Sequence, residues 1–239
     1  MRPQIQAKPS LFALEPGRAA VLVVDMQNDF GSEGGMFHRA GIDISAIRQA
    51  VGPTTAVLAS ARSMGMKVVY LKMGFRPDLS DAGSTDSPNR VRHLFLGVGQ
   101  NVTAPDGGAS RILIRDTWNT DVIPELAPRR GDAVVYKHRF SGFYETELDT
   151  TLRAAAVDQL VVTGCTTSVC VESTIRDAMY RDYSCLLLSD CCAEPIGQGL
   201  QRSNHSASLL TIETLFGWVA DSSAFLRAVE QAAMAPAAG

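Results

Sequence analysis

The chain lacks several features that would each point to a function. It has no apolar run approaching the roughly 20 residues that a membrane-spanning helix needs, so no membrane partner is expected. It has no cluster of lysines and arginines, and its formal net charge is −3. Without a basic face there is nothing to hold a phosphate backbone, which argues against nucleic acid. Residues 1–9 are polar and lack the apolar core of a secretory leader, so a soluble cytoplasmic protein is expected. Cysteines number only five, an odd count confined to positions 165–192. A disulfide framework would be spread more widely, so the thiols are read as reduced. No cysteine spacing suits a zinc ribbon, and the adjacent pair Cys191-Cys192 is poor metal-site geometry. The four histidines, His38, His93, His138 and His205, are scattered. No metal and no cofactor are expected.

What is present suits one α/β domain. The 239 residues are 46% hydrophobic, enough for a sizeable core. Residues 19–25 form a continuous apolar run that closes on Asp25, the pattern of a strand buried on both faces. Residues 67–72, 132–137, 159–163 and 184–189 read as four more strands, the third of the five ending on Lys137. Helical spacing occupies 47–64, 147–156, 169–181, 203–216 and 222–233. Alternating strands and helices predict a mostly parallel central sheet with helices on both faces, a three-layer α/β sandwich. The domain is expected over 16–233, with an N-terminal tail at 1–15 and a C-terminal tail at 234–239. Residues 73–118 are rich in glycine, proline and serine with little periodicity, the mark of a functional excursion.

In open parallel sheets, ligands sit beyond the carboxyl ends of the strands. Asp25 ends strand one, Lys137 ends strand three, and Cys170 opens the helix after strand four. All three are thereby expected at one rim. Taken singly, the aspartate reads as a turn residue, the lysine as a surface charge and the cysteine as packing. Together they have a chemical logic. A thiol at a helix N-terminus feels the positive end of the backbone dipole, which favours the nucleophilic thiolate. A lysine adds to that effect. An aspartate can take the thiol proton and return it to a leaving amine. The thiolate then attacks a carbonyl carbon to give an acyl-enzyme. The backbone N–H groups of Thr166 and Cys170 are the natural oxyanion donors.

At these residues the chain resembles the isochorismatase-like cysteine hydrolases over about residues 18–230. Three blocks carry the resemblance: Val23-Val24-Asp25-Met26-Gln27-Asn28-Asp29-Phe30, Lys137-His138-Arg139-Phe140-Ser141-Gly142-Phe143, and Gly164-Cys165-Thr166-Thr167-Ser168-Val169-Cys170-Val171. The resemblance implies a catalytic triad of Asp25, Lys137 and Cys170, and a cis peptide between Cys165 and Thr166. It also implies a homo-oligomer, dimer or tetramer, acting on a small-molecule substrate. Two branches look similar, one acting on ureidoacrylate and one on biuret; both cleave an N-carbamoyl group, and a triuret-like substrate stays open. The chain departs from each. The ureidoacrylate branch has Asn in place of Met73 and Tyr in place of Phe140, while the biuret branch has Gln near Glu213. The metal-dependent nicotinamidases of the family carry an Asp-x-His pair where this chain has Met73-Gly74-Phe75-Arg76-Pro77-Asp78. Other amidase activities, on N-carbamoyl amino acids or nicotinamide, remain alternatives. Thiol-free isochorismate hydrolysis and a non-catalytic binding module are more distant ones.

The segment 73–92 is placed to lid the site. Phe75, Arg76, Ser87 and Asn89 are its candidate contacts, since Arg and Asn can satisfy the carbonyls and N–H groups of a planar ureido group. Asn28, Phe37, Phe140, Phe143 and Glu213 complete the expected substrate-binding set, and Trp118 is a further candidate wall. Gln27 and Asp29 are expected to orient the loop after strand one. Trp218 reads equally as core, interface or site. Cys165 and Cys185 read as packing, and Cys191-Cys192 as close enough to the rim for redox sensitivity.

Overall fold

Six segments lie side by side in the computed structural model, which describes residues 2–197 and 199–235. They are β1 (Ala19–Val24), β2 (Lys67–Met73), β3 (Ala133–Lys137), β4 (Gln159–Cys165), β5 (Ser184–Ala193) and β6 (Trp218–Ala220). Their order across the sheet is β6-β5-β4-β1-β2-β3, and every neighbouring pair is parallel. β1 is therefore interior, and all six of its residues are buried. Successive side chains of a strand point to opposite faces, so both faces of β1 must be covered. Val21 and Val23 join a core built with helices α1 (Ser45–Ser63) and α6 (Ser222–Met234). Leu22 and Val24 join the opposite core. Helices α3 (Leu148–Ala154) and α4 (Glu172–Met179) close that second face through Leu148, Leu152, Ile175 and Ala178. The result is the expected three-layer α/β sandwich.

The structure differs from the sequence expectation in several places. β5 runs to Ala193 rather than stopping near 189, so Cys191 and Cys192 lie inside it and are buried. β6 was absent from the expectation; its three residues are too few for a periodic signal. The excursion 73–118 holds helix α2 (Pro88–Phe95) and a hairpin pairing Asn101–Thr103 with Ala109–Arg111. The expected helix at 203–216 divides into α5 (Asn204–Thr211) and a π-helical turn over Ile212–Phe216. No helix among the described residues is long and apolar enough to cross a membrane.

The expected N-terminal tail is part of the fold. Gln4–Ile5 pair antiparallel with Phe12–Ala13, and Ile5, Phe12 and Leu14 are buried. Lys8 bridges to Val219 of β6, and Phe12 meets Trp218 edge-on at 5.2 Å. Trp218 thus serves packing, with its indole N–H donated to Ser10 Oγ at 3.1 Å. α6 continues to Met234, and residues 236–239 of the expected C-terminal tail lie outside the described residues. Phe12→Ala should lower the unfolding free energy by about 3 kcal/mol, read by chemical denaturation. A loss under about 0.5 kcal/mol, the range of ordinary surface substitutions, would show that the hairpin adds no stability.

Candidate active site

The rim of the sheet brings Asp25, Lys137 and Cys170 together. Asp25 leaves β1 with a φ of 51°, and its N–H donates to the Leu71 carbonyl at 2.9 Å. Lys137 is the last residue of β3 and pairs in register with Met73, the last of β2. Its side chain reaches past β2, placing Nζ 2.8 Å from Asp25 Oδ2 and 3.2 Å from Cys170 Sγ. The same ammonium lies 3.3 Å from the Arg139 carbonyl and 3.6 Å from Met73 Sδ. Asp25 Oδ1 accepts the Met73 N–H at 2.9 Å. Oδ2 faces the ammonium at ion-pair distance but has no aligned hydrogen bond. Lys137 and Asp25 are 0% and 1% exposed, and Cys170 is 6% exposed.

Cys170 arrives by a different route from the other two. β4 ends at Cys165, and the Cys165–Thr166 peptide is cis. A π-helical turn over Thr167–Val171 then carries Cys170 and leads directly into α4. This replaces the regular helix start expected at 169. Single π turns recur at functional sites. The Thr166 carbonyl accepts the N–H groups of Val169 and Val171, which ties the turn together.

The electrostatics reverse one sequence expectation. A helix N-terminus and a lysine were expected to hold the thiol ionised. Burial instead pushes Cys170 up to about 12, and the charge of Asp25 adds to it; Lys137 pulls the other way. Burial also raises Asp25 above the usual carboxylate range despite Lys137. Lys137 is raised because its two acidic neighbours outweigh the cost of burying its charge. One buried cation neutralises one anion. The resting site is therefore carboxylate, ammonium and thiol. A thiolate forms without adding net charge only when its proton passes to Asp25.

Cys170 lies in the wall of a pocket of about 410 Å³. Phe30, Met36, Phe37 and Ile42, from the segment after β1, form one side. Met73, His93, Leu96, Leu113 and Phe140 form another, and Thr166, Val169, Pro195 and Ile196 complete it. Of the expected substrate contacts, Phe37 and Phe140 are there, along with Thr166 and Cys170. Both positions at which the ureidoacrylate branch differs, Met73 and Phe140, line it too.

The remaining expected contacts are elsewhere. Asn28 donates Nδ2 to the Trp118 carbonyl at 2.8 Å and accepts from Ser32 Oγ at 2.8 Å, so its amide is occupied. Phe75 is fully buried, with its ring edge-on to His93 at 5.0 Å. Arg76 is exposed. Ser87 caps α2 by accepting the Arg90 N–H, and Asn89 Nδ2 donates to the Ala82 carbonyl. Phe143 packs against Tyr183 in the core of the opposite face. Glu213 borders a separate surface groove with Lys8 and Asp221, and Trp118 does not line the pocket. Ser87 and Asn89 lie outside this pocket because short polar side chains in loops are taken up by local backbone groups.

Gln27 and Asp29 orient the loops, as expected. Gln27 Nε2 donates to the carbonyls of Met73 and Thr120, and its Oε1 accepts the Met73 N–H at 2.7 Å. Asp29 accepts from the backbone of Met36 and Leu113 and from Asn119 Nδ2 at 2.5 Å. Burial pushes its carboxyl up to about 6. Cys165 is buried, with Sγ 3.2 Å from the Asp25 carbonyl. Cys191 and Cys192 lie near the carboxyl end of β5, with Cys192 in register with Gly164 close to the end of β4, and both are buried. Among the described residues no three His, Cys, Asp or Glu gather in a metal-binding cluster. Sequence reasoning missed the apolar lining residues Phe30, Met36, Ile42, Leu96, Leu113, Val169, Pro195 and Ile196, and one polar one, His93. It is the one buried residue of α2, yet nothing in its sequence context separates it from the other scattered histidines.

Comparison with known proteins shows the family and the fold. The isochorismatase domain model matches residues 19–224. The ureidoacrylate amidohydrolase RutB of Methylobacterium radiotolerans is 38% identical over 98% of this chain and 88% of its own. A cysteine hydrolase from Pseudomonas syringae pv. phaseolicola superposes with a TM-score of 0.78 at 34% identity, covering 97% of this chain and 99% of its own. The N-carbamoylsarcosine amidase of Thermoplasma acidophilum gives 0.63 at 28% identity, covering 86% and 96%.

The charge balance at Cys170 sets its reactivity toward iodoacetamide. With the thiol pushed up to about 12, alkylation should rise about tenfold per pH unit through pH 7–10 without a plateau. Asp25→Asn should shift that profile to lower pH, because the carboxylate raises the thiol. Lys137→Met should shift it higher. An unchanged profile in both variants would show that the three groups do not share charge.

Proposed function

The chain belongs to the isochorismatase family, and from that premise we propose that it is a cysteine amidohydrolase cleaving a C–N bond of a small ureido or carbamoyl amide through a thioester at Cys170. With ureidoacrylate amidohydrolases among its relatives at 35–39% identity, it is a hydrolase of carbon–nitrogen bonds in amides. One observation carries the proposal: a buried ammonium lies within 3.2 Å of both a carboxylate and a thiol, and that thiol forms part of the wall of a pocket of about 410 Å³. Ureidoacrylate and N-carbamoylsarcosine, the compounds that name two of the similar proteins, both bear a carbamoyl group on nitrogen. That shared group supports the substrate class.

The roles follow from the charge balance. As Sγ approaches the carbamoyl carbon, its proton passes to Asp25 Oδ2, the carboxylate oxygen without an aligned hydrogen bond. Lys137 remains charged and holds both anionic positions. The tetrahedral oxyanion is held by the N–H groups of Thr166 and Cys170, an arrangement whose single donors are each worth roughly 10²–10³ in rate. The C–N bond then breaks, and Asp25 gives its proton to the departing nitrogen. A carbamoyl thioester and a free amine result. Water attacks the thioester, Asp25 takes a water proton, and the departing thiolate recovers it. The carbamic acid released falls to ammonia and carbon dioxide.

Ammonia release from ureidoacrylate, biuret, triuret, N-carbamoyl amino acids and nicotinamide tests the reading. At least one carbamoyl compound should be turned over, and Cys170→Ala should reduce that rate by more than about 10⁴-fold while the circular dichroism spectrum is retained. Near wild-type turnover by the alanine variant would remove Cys170 as nucleophile. No turnover of any carbamoyl compound would remove the substrate class.

A further inference from the structure

We propose that the part of the substrate lodged in the chamber beside Cys170 is apolar and uncharged, and that the Nε2 of His93 accepts the hydrogen bond of its N–H. The inference rests on the amidohydrolase reading for the bond that is cut, but not for what the chamber binds. Apart from Cys170, only Thr166 and His93 bring polar side chains to the chamber; no Lys, Arg, Asp or Glu among the described residues lines it. Of the cations nearby in sequence, Arg76 and Arg92 are exposed and do not line the chamber, and the others are committed elsewhere. Lys137 is fully buried against Asp25 and Cys170. Arg90 donates to the Leu79 carbonyl, Arg115 to Asp81, and Arg139 to the Asp81 and His138 carbonyls. A carboxylate entering the chamber would lose its water and find no counter-charge, which is strongly unfavourable.

The walls favour a flat or aliphatic group instead. Phe30 and Phe37 meet edge-to-face at 5.0 Å, and the His93 ring lies 5.6 Å from Phe140. Such aromatic surfaces accommodate a planar substituent. His93 sits among them with a defined polarity. Its Nδ1 lies 2.6 Å from the Asn89 carbonyl, which can only accept, so Nδ1 carries the proton. Burial, reinforced by the positive charges of Lys137 and Arg139, holds the imidazole below its ordinary range and therefore neutral. Nε2 is then a lone-pair acceptor, with no partner among the described residues. A ureido N–H is the matching donor.

Matched aryl ureas separate charge from shape: phenylurea, 4-ureidobenzoate and the methyl ester of the latter. Calorimetric binding to Cys170→Ala should favour phenylurea and the ester over the carboxylate by at least about tenfold. In the same background His93→Phe should weaken phenylurea about tenfold, without a matching fall in unfolding temperature, and His93→Gln should recover part of the loss. With Cys170 restored, His93→Phe should raise KM with little change in kcat. Equal or tighter binding of the carboxylate, or no detectable binding of phenylurea, would overturn the apolar chamber. An unchanged phenylurea affinity in His93→Phe would overturn the role of His93. The calorimetric measurements need no turnover. The binding preference without ammonia release from any carbamoyl compound would sink the reaction and leave the chamber's selectivity standing.

Discussion

A carboxylate and an ammonium, Asp25 and Lys137, meet at 2.8 Å with almost no contact with water. Burying either charge alone would be costly, and breaking such a pair from one side typically costs about 3–5 kcal/mol. The pair constrains the architecture around it. β2 separates the two strands that carry these residues, so Lys137 must reach past the end of β2 to close it. Met73, at that end, turns its N–H to the second carboxylate oxygen and its sulfur toward the ammonium. The site is closed to water by the same packing that makes the pair necessary.

Charge neutrality then couples the three groups. With one cation present, the site tolerates one anion. Burial raises both the Cys170 thiol and the Asp25 carboxyl above their ordinary ranges. In the proposed reaction the thiol is ionised only when an electrophile is in place, unlike a surface thiolate exposed at all times. Burial is the largest influence on the thiol, ahead of the charges of Asp25 and Lys137.

The pocket is assembled from segments that are far apart in the chain and depend on buried polar braces. Gln27 and Asp29, just after β1, hold the ends of β2 and of the 113–120 segment by hydrogen bonds to their backbone. These braces satisfy polar groups that would otherwise be stranded in the interior. They leave Phe30, Met36 and Phe37 to present an apolar wall. Of the polar residues expected to read the substrate, Asn28, Ser87 and Asn89 are engaged in local hydrogen bonds, and His93 is a polar side chain that does line the chamber.

Asp25, Lys137 and Cys170 were legible in the sequence because each follows or ends an apolar run, and parallel strands all present their carboxyl ends to one rim. The same reasoning yielded the central sheet and its two helical layers. It missed β6 and the N-terminal hairpin, whose strands of two or three residues carry no periodicity. Most of the expected substrate contacts do not line the pocket beside Cys170. Hydrophobic patterning reports which residues leave water, and strand ends report where charged groups must emerge. Only the tertiary structure decided which apolar residues from separate segments share one cavity, which polar side chains are already occupied, and where the proton of Cys170 resides. Those properties depend on distance and burial, and neither is encoded within any single stretch of chain.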